Sequence, residues 1–341
     1  MLLSRKELPL LLETVERQDA DDMLMNLLDS LHPPQLTTLI NTGDGSPSSD
    51  APLRLQPPLL GVTSRSNTVV FVDGNLSNLA ALRMALALTR PGRHDTVHLV
   101  MFVAAGVQVA PGHKRLARLQ EHLGSHSQGL LRVEVLVRGV SSLLGAMKQY
   151  VAAVRAELVV IPSATLGRPG AQNVLGSVAL AILKVMEVPV LLVTPRCSPA
   201  AETLLERRQL RMMVMADAWA MPLVEFAGDR ILVPSRGDRL VLGQVFSTRT
   251  STRRQIDHGR WHMAVFRDHL ATKRSFTNVE DLIMDGIYNE VVLQTIIDSK
   301  ISLLGVHLPQ GVLAVPKGLI TLLCSSQAAV LVMKRKMVPT A

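Results

Sequence analysis

Residues 156–196 read AELVVIPSATLGRPGAQNVLGSVALAILKVMEVPVLLVTPR. A short aliphatic run, AELVVIP, breaks into a glycine-bearing loop. The loop gives way to GSVALAILKVM, rich in helix formers, and a second aliphatic run, VPVLLVTP, follows. Strands with no polar alternation are those buried on both faces, and parallel strands need a helical crossover between them. The stretch is therefore one strand–helix–strand unit of a parallel sheet. Outward from it, the same texture recurs. NTVVFVDG (67–74), DTVHLVMFV (95–103) and LLRVEVLV (130–137) read as strands. LSNLAALRMALALT (76–89), GHKRLARLQEHL (112–123) and SSLLGAMKQYVAAVRA (141–156) read as the helices between them. Five strands alternating with helices predict a doubly wound α/β sheet with right-handed crossovers.

A second pass begins near Arg211. RMMVMADA (211–218) repeats the first strand, with Asp217 in the place of Asp73, and RLVLGQVF (239–246) and NVEDLIM (278–284) follow. KISLLGV (300–306) and AVLVM (329–333) complete the series. The separations are 144 residues from 73 to 217, 144 from 160 to 304 and 140 from 189 to 329. A period of that length is a domain copied, not a solenoid unit. The expected organisation is an N-terminal amphipathic helix (1–31), a Pro/Ser/Gly-rich linker (32–66), a first domain (67–196) and a second (210–335).

The remaining composition narrows the class. Of 341 residues, 48% are hydrophobic and 19% charged, which excludes a wholly disordered chain, and with 3% aromatics the core must be aliphatic. Cys197 and Cys324 are too few for a disulfide framework. The longest apolar candidate for a membrane span, Val174–Val193, is broken by Lys184, Glu187 and Pro189. Glu7, Pro9, Glu13 and Glu16 spoil any signal or transit peptide, so a cytoplasmic protein is expected.

Charge is unevenly spread. The net +8 divides into −4 for residues 1–66, with five Lys/Arg and nine Asp/Glu, and +12 for the rest. In residues 6–31 the apolar members Leu11, Leu12, Val15, Met23, Leu24, Leu27, Leu28 and Leu31 recur at spacings of three and four, with acids between them. A basic excess lies between Phe246 and Ser275: Arg249, Arg253, Arg254, Arg260, Arg267, Lys273 and Arg274 against Asp257 and Asp268. It carries no RNA-binding signature and little aromatic interleaving, so a solvated helix face or a protein-docking surface is expected rather than a nucleic-acid interface. A protein partner is expected at the N-terminal helix or at this patch.

The glycine loop after AELVVIP carries chemistry. It leads from a strand into a helix at Gly176-Ser177, where unpaired N–H groups and the positive helix end attract phosphate. Gly167, Gly170 and Gly176 permit close backbone approach. Ser177 can donate its hydroxyl to a phosphate oxygen or cap the helix. With VVFVDGN at the start and VPVLLV at the end, this stretch resembles a universal stress protein domain. The resemblance covers residues 67–196 well and 210–335 loosely. It implies that Asp73, ending its strand, meets the adenine or ribose of an adenine nucleotide, ATP or AMP. It also implies that Gly167, Gly170, Gly176 and Ser177 hold the phosphates, in the pattern G-x2-G-x9-G-[ST]. Here five residues, AQNVL, stand where nine are usual, which removes part of the wrap, and Pro169 removes a donor.

In the second copy the corresponding loop is VHLPQGVLAVPKGLI, with Gly311, Gly318 and Leu319 in place of the serine, and leucine donates no hydrogen bond. That copy is expected to bind no nucleotide and to be kept for structure. Family members commonly dimerise through their last strand. The resemblance therefore implies that Val188–Val193 and Ala328–Met333 pair within this chain, making two five-stranded sheets an intrachain pseudo-dimer and covering both edges. No nucleophile constellation is present, and His122/His126 and His258/His262 lack the glutamate and third ligand of a zinc site. The sequence reads as a non-enzymatic binding protein, with a nucleotide-free scaffold as the alternative.

Overall fold

In a computed structural model of the chain, residues 66–73, 76–90, 95–104, 109–123, 131–138, 142–162, 177–207, 209–247, 251–309 and 315–335 are described. The expected N-terminal helix (1–31) and nearly all of the linker lie outside them. The first half runs β1 (Asn67–Phe71), α1 (Leu79–Leu88), β2 (Thr96–Ala104), α2 (Ala110–Glu121), β3 (Leu131–Arg138), α3 (Leu143–Ala153), β4 (Leu158–Pro162), α4 (Ser177–Val185) and β5 (Val190–Val193). A helix not expected from the sequence, α5 (Ser198–Arg207), joins it to the second half. There β6 (Arg211–Met215), α6 (Met221–Phe226, extended by a wider turn over Ala227–Ile231), β7 (Arg239–Phe246), α7 (Arg253–Arg274), β8 (Val279–Asp285), α8 (Tyr288–Asp298), β9 (Leu303–Pro309), α9 (Lys317–Ser325) and β10 (Ala329–Arg335) repeat the order.

The ten strands form one sheet in the order β3-β2-β1-β4-β5-β10-β9-β6-β7-β8. Within each half every pairing is parallel. The halves meet where β5 and β10 pair antiparallel, Val190 opposite Val332, Leu191 opposite Leu331 and Leu192 opposite Val330. The expected internal pairing of the two last strands is thus present, and the two sheets are continuous.

Alternation along the strands builds a core on each face. Val70 and Val72 point into a layer closed by α1, α2, α5, α6 and α7, with Leu82, Leu204, Leu223 and Phe266 among its buried members. Val69 and Phe71 point to the opposite layer, closed by α3, α4, α8 and α9 through Met147, Ile182, Ile296 and Leu322. Both layers run through both halves, which is why the sheet's aliphatic strands carry so little polar alternation.

The repeat is visible in backbone detail. Arg155 after α3 and Lys300 after α8 both take φ of 50°. In each case the next N–H closes back on the helix, Ala156 to the Val151 carbonyl and Ile301 to the Ile296 carbonyl, both at 2.9 Å. Those two positions are 145 residues apart, and register agrees: Val160 lies opposite Val70, whereas Gly305 lies opposite Val214. The equivalence of 160 with 304 read from the sequence is therefore one residue short. Two aliphatic runs slide past each other without a sequence penalty, and only the hydrogen-bond ladder fixes the register.

Candidate functional site

The strand order in the first half reverses between β1 and β4. In open parallel sheets a crevice opens at such a switch point, beyond the carboxyl ends of the strands. Asp73 stands there. Val72 still donates its N–H to the Val100 carbonyl at 3.0 Å, so the chain leaves the sheet at Asp73. The Asn78 side chain, fully buried ahead of α1, donates from Nδ2 to Asp73 Oδ1 at 2.6 Å. This bond fixes the carboxylate of Asp73 against its own helix, and the residue is half-buried. The helix after β4 begins at Ser177, as expected for the last residue of the glycine motif. Gly167, Gly170 and Gly176 lie outside the described residues, as does the side chain of Ser177. Of the five expected site residues, the structure thus places Asp73 just past the end of β1 and the backbone of Ser177 at the start of the helix that follows β4, the strand paired with β1.

In the second half, Ala216 donates to the Gly243 carbonyl at 2.8 Å, matching Val72 and Val100, so Asp217 is the counterpart of Asp73. Its carboxylate accepts the Trp219 N–H at 2.9 Å and closes a local turn. Leu319, at the serine's expected position, lies in the first turn of α9 and packs on the apolar layer. The Gly318 carbonyl there accepts from Asn289 Nδ2 at 3.1 Å.

Around Asp217 gathers a group of which the sequence shows only the His258/His262 pair. On α7, His258 and Trp261 stack with their rings 9° apart, and His258 and His262 meet edge-on at 4.3 Å. Trp261 and His262 are 5.2 Å apart, and His262 stacks on Phe266 at 6.1 Å. Burial holds His262 below the usual imidazole range, the neighbouring His258 adds to this, and Asp217 opposes it. Desolvation and then the Asp217 charge push Tyr288, at the start of α8, up to about 12. The i, i+4, i+8 spacing of 258, 262 and 266 was legible in sequence. That β6 and α8 deliver Asp217, Trp219 and Tyr288 to the same place was not, because it depends on strand order. Among the described residues no group of three or more His, Cys, Asp or Glu could hold a metal ion.

Much of the basic excess of Phe246–Ser275 is internally matched. Arg267 pairs with Asp281 of β8 at 2.5 Å, Arg274 with Asp229 at 2.5 Å, and His269 lies 3.2 Å from Glu225. These contacts fasten the second part of α7 to its own half. Arg253 and Arg260 flank Asp257 at 4.0 and 3.9 Å, open pairs of little worth, and Arg254 is exposed. The free charge is therefore concentrated at the amino-terminal part of α7.

At the other end of the strands, a cavity of about 10 Å³ lies between the halves, bordered by Thr68, Thr89, Asp95, Glu157, Phe226 and Arg230. That is room for about one water and not for a nucleotide. Among the described residues no helix is long and apolar enough to cross a membrane.

No model of a known protein family matches the sequence, and no curated protein matches it. Solved structures do. A universal stress protein from Archaeoglobus fulgidus is similar at 14% identity and a TM-score of 0.56, over 79% of this chain and 98% of that one. A putative universal stress protein from Pseudomonas aeruginosa is similar at 14% identity and a TM-score of 0.53, over 80% and 93%. A protein of unknown function from the same species is similar at 15% identity and a TM-score of 0.52, over 80% and 92%. At that identity the likeness is one of fold: the chain carries the universal stress protein fold twice, as two halves of one ten-stranded sheet.

Proposed function

We propose that this chain is a non-enzymatic binding protein of the cytoplasm whose first half takes an adenine nucleotide, ATP or AMP, and whose loaded state is read by a protein partner. The observation that carries the reading is Asp73, held by Asn78 just past the end of β1, where the strand order reverses between β1 and β4 and the helix after β4 begins at Ser177. Asp73 would accept from the adenine or ribose side. The backbone at Gly167, Gly170 and Gly176 and the hydroxyl of Ser177 would meet the phosphates. A nucleotide can bias a partner-binding surface only through contacts that differ between two states of the protein. Calorimetry of the full chain with ATP and with AMP, with and without Mg²⁺, tests this beside Gly176→Val/Ser177→Ala. Micromolar binding that the variant loses, with its circular dichroism unchanged, supports the reading. Absence of heat at millimolar nucleotide from folded protein overturns it.

One observation favours a nucleotide-free scaffold instead. In the second half the equivalent crevice has Asp217 turned to its own loop and Leu319 packed on the core. A chain that has given up one site in this way keeps that half for its surface. If calorimetry is silent, this second reading stands.

A further inference from the structure

The two tryptophans of this chain, Trp219 and Trp261, are 50% and 57% exposed; Trp219 lies in the turn that Asp217 closes, and Trp261 packs on His258 and His262. Tyr288, close enough to feel the charge of the same carboxylate, is 44% exposed. Single exposed hydrophobic residues are ordinary, but exposed aromatic surface gathered in one place marks a docking surface. Beside it on α7 lie the exposed Arg253, Arg254 and Arg260, of which Arg253 and Arg260 flank Asp257 at 4.0 and 3.9 Å. The surface thus asks for an occupant that is both apolar and acidic.

Such an occupant is present in the same chain. Residues 1–31 hold seven Asp/Glu against three Lys/Arg, so they carry the whole −4 of the first 66 residues. They also hold, between Leu11 and Leu31, the apolar residues at helical spacing named above. We propose that residues 1–31 dock on the Trp219–Trp261–Tyr288 surface of their own chain. Leucines from the segment cover the indoles, and Asp21, Asp22 and their neighbours meet Arg254 and Arg260. The tether permits it. Residues 32–66 supply 35 residues, or about 115 Å when extended. β1 and β6 run in opposite senses, so the start of β1 and the end of β6 lie at the same edge of the sheet, five strand spacings or about 25 Å apart. Covalent linkage turns the contact into an intramolecular one, so modest affinity suffices to keep it closed.

Both tryptophans lie on the proposed surface, so intrinsic fluorescence reads the contact directly in the full chain. The comparison is acrylamide quenching of the unmodified chain against Leu24→Asp/Leu27→Asp/Leu28→Asp. A quenching constant about twofold higher in the variant, with emission shifted to the red, is expected, because docking covers the roughly half of each indole otherwise open. Arg254→Glu/Arg260→Glu should release the segment likewise, and adding Asp21→Lys/Asp22→Lys to it should restore the shielding. These arginines are exposed, so the second pair of variants keeps the test valid if the leucine variant aggregates. Equal quenching in all four proteins overturns the proposal. So does shielding that disappears on dilution together with a drop in mass, since the occupant is then a second copy.

Discussion

Asp95 and Asp238 occupy the same place in the two halves, just before β2 and just before β7, and both are buried. Each ties down the chain entering its half. Asp95 accepts the N–H of Ser66 at 3.1 Å and of Arg90 at 2.9 Å, and Asp238 accepts those of Leu210 at 2.8 Å and Val233 at 2.7 Å. They differ in one respect. Asp238 is also gripped by Arg236, Nε to Oδ1 at 2.8 Å and the terminal nitrogen to Oδ2 at 2.7 Å. Removing Asp238 strands a largely buried guanidinium as well as two N–H groups, at about 3–5 kcal/mol. Removing Asp95 strands the N–H groups alone, at about 1–3 kcal/mol. Urea unfolding of Asp238→Ala and Asp95→Ala should show that order, and equal losses would refute it. A second prediction concerns acid. Glu134 on β3 is held below the usual carboxylate range by the neighbouring His98, whose Nδ1 lies 3.8 Å from it, against the cost of burial and with help from Tyr150. Tyr150 is itself raised by burial and by the Glu134 charge. A depressed folded value means that the stability from Glu134 is present above the ordinary glutamate range and is lost as pH falls through the lower folded value. Glu134→Gln should therefore cost stability at neutral pH and much less in strong acid. An unchanged difference between the two proteins across an acid titration would exclude this role.

At the scale of elements, glycines in helices separate packing from propensity. Replacing glycine by alanine in a helix normally gains up to about 1 kcal/mol. In α2, a Cβ on Gly112 would come 2.9 Å from Val135 Cγ1, a β-branched and nearly fully buried side chain on β3. Valine there has little rotamer freedom with which to yield, so Gly112→Ala should destabilise by about 1–3 kcal/mol. In α9, a Cβ on Gly318 meets nothing nearer than Asn289 at 3.6 Å, and Gly318→Ala should be neutral or gain a few tenths of a kcal/mol. Thermal melts of the two variants carry the test, and melts shifted the same way would contradict it. The same distinction explains what was legible in the sequence. AELVVIP, VPVLLVTP and RLVLGQVF declare strands because their aliphatic runs sit between turn residues, and RLVLGQVF matches β7 residue for residue. The helix α5 hides in SPAAETLLER, where proline and serine suggest a connector, and it is settled instead by packing of Ala201 and Leu204 on the layer they share with α1. Asp73 was readable as the end of a strand. Asn78, five residues on, was not, because nothing in LSN distinguishes a buried amide aimed at a carboxylate from a turn. The group at Asp217 was half readable, from the spacing on α7 alone.

For the whole molecule, the antiparallel seam decides how the halves behave. Three residue pairs join β5 to β10, too few to hold two independent domains by hydrogen bonds alone. The layers on either face nevertheless pass through the seam, and Leu331, fully buried, lies in one of them. Side chains also cross between halves. Arg90 donates to the carbonyls of Asp229 and Leu232 at 3.0 and 2.7 Å, Arg236 to that of Ala87 at 2.9 Å, and Arg230 pairs with Glu157 at 2.6 Å. Shared cores and reciprocal contacts make the cost of opening one half fall on the other, so unfolding should be a single transition. The two tryptophans report on the second half only, whereas far-ultraviolet circular dichroism reports on both. The two signals should therefore superimpose in urea, both for the unmodified chain and for Leu331→Ala, whose midpoint should fall by the equivalent of about 2–5 kcal/mol. A fluorescence transition that leads or trails the dichroism would mean that the halves fold separately and that the seam only docks them. In that case a ligand in the crevice of the first half would stabilise that half alone. With one cooperative unit, nucleotide bound near Asp73 must raise the midpoint read by Trp219 and Trp261 at the far side of the sheet, by an amount fixed by its concentration and affinity.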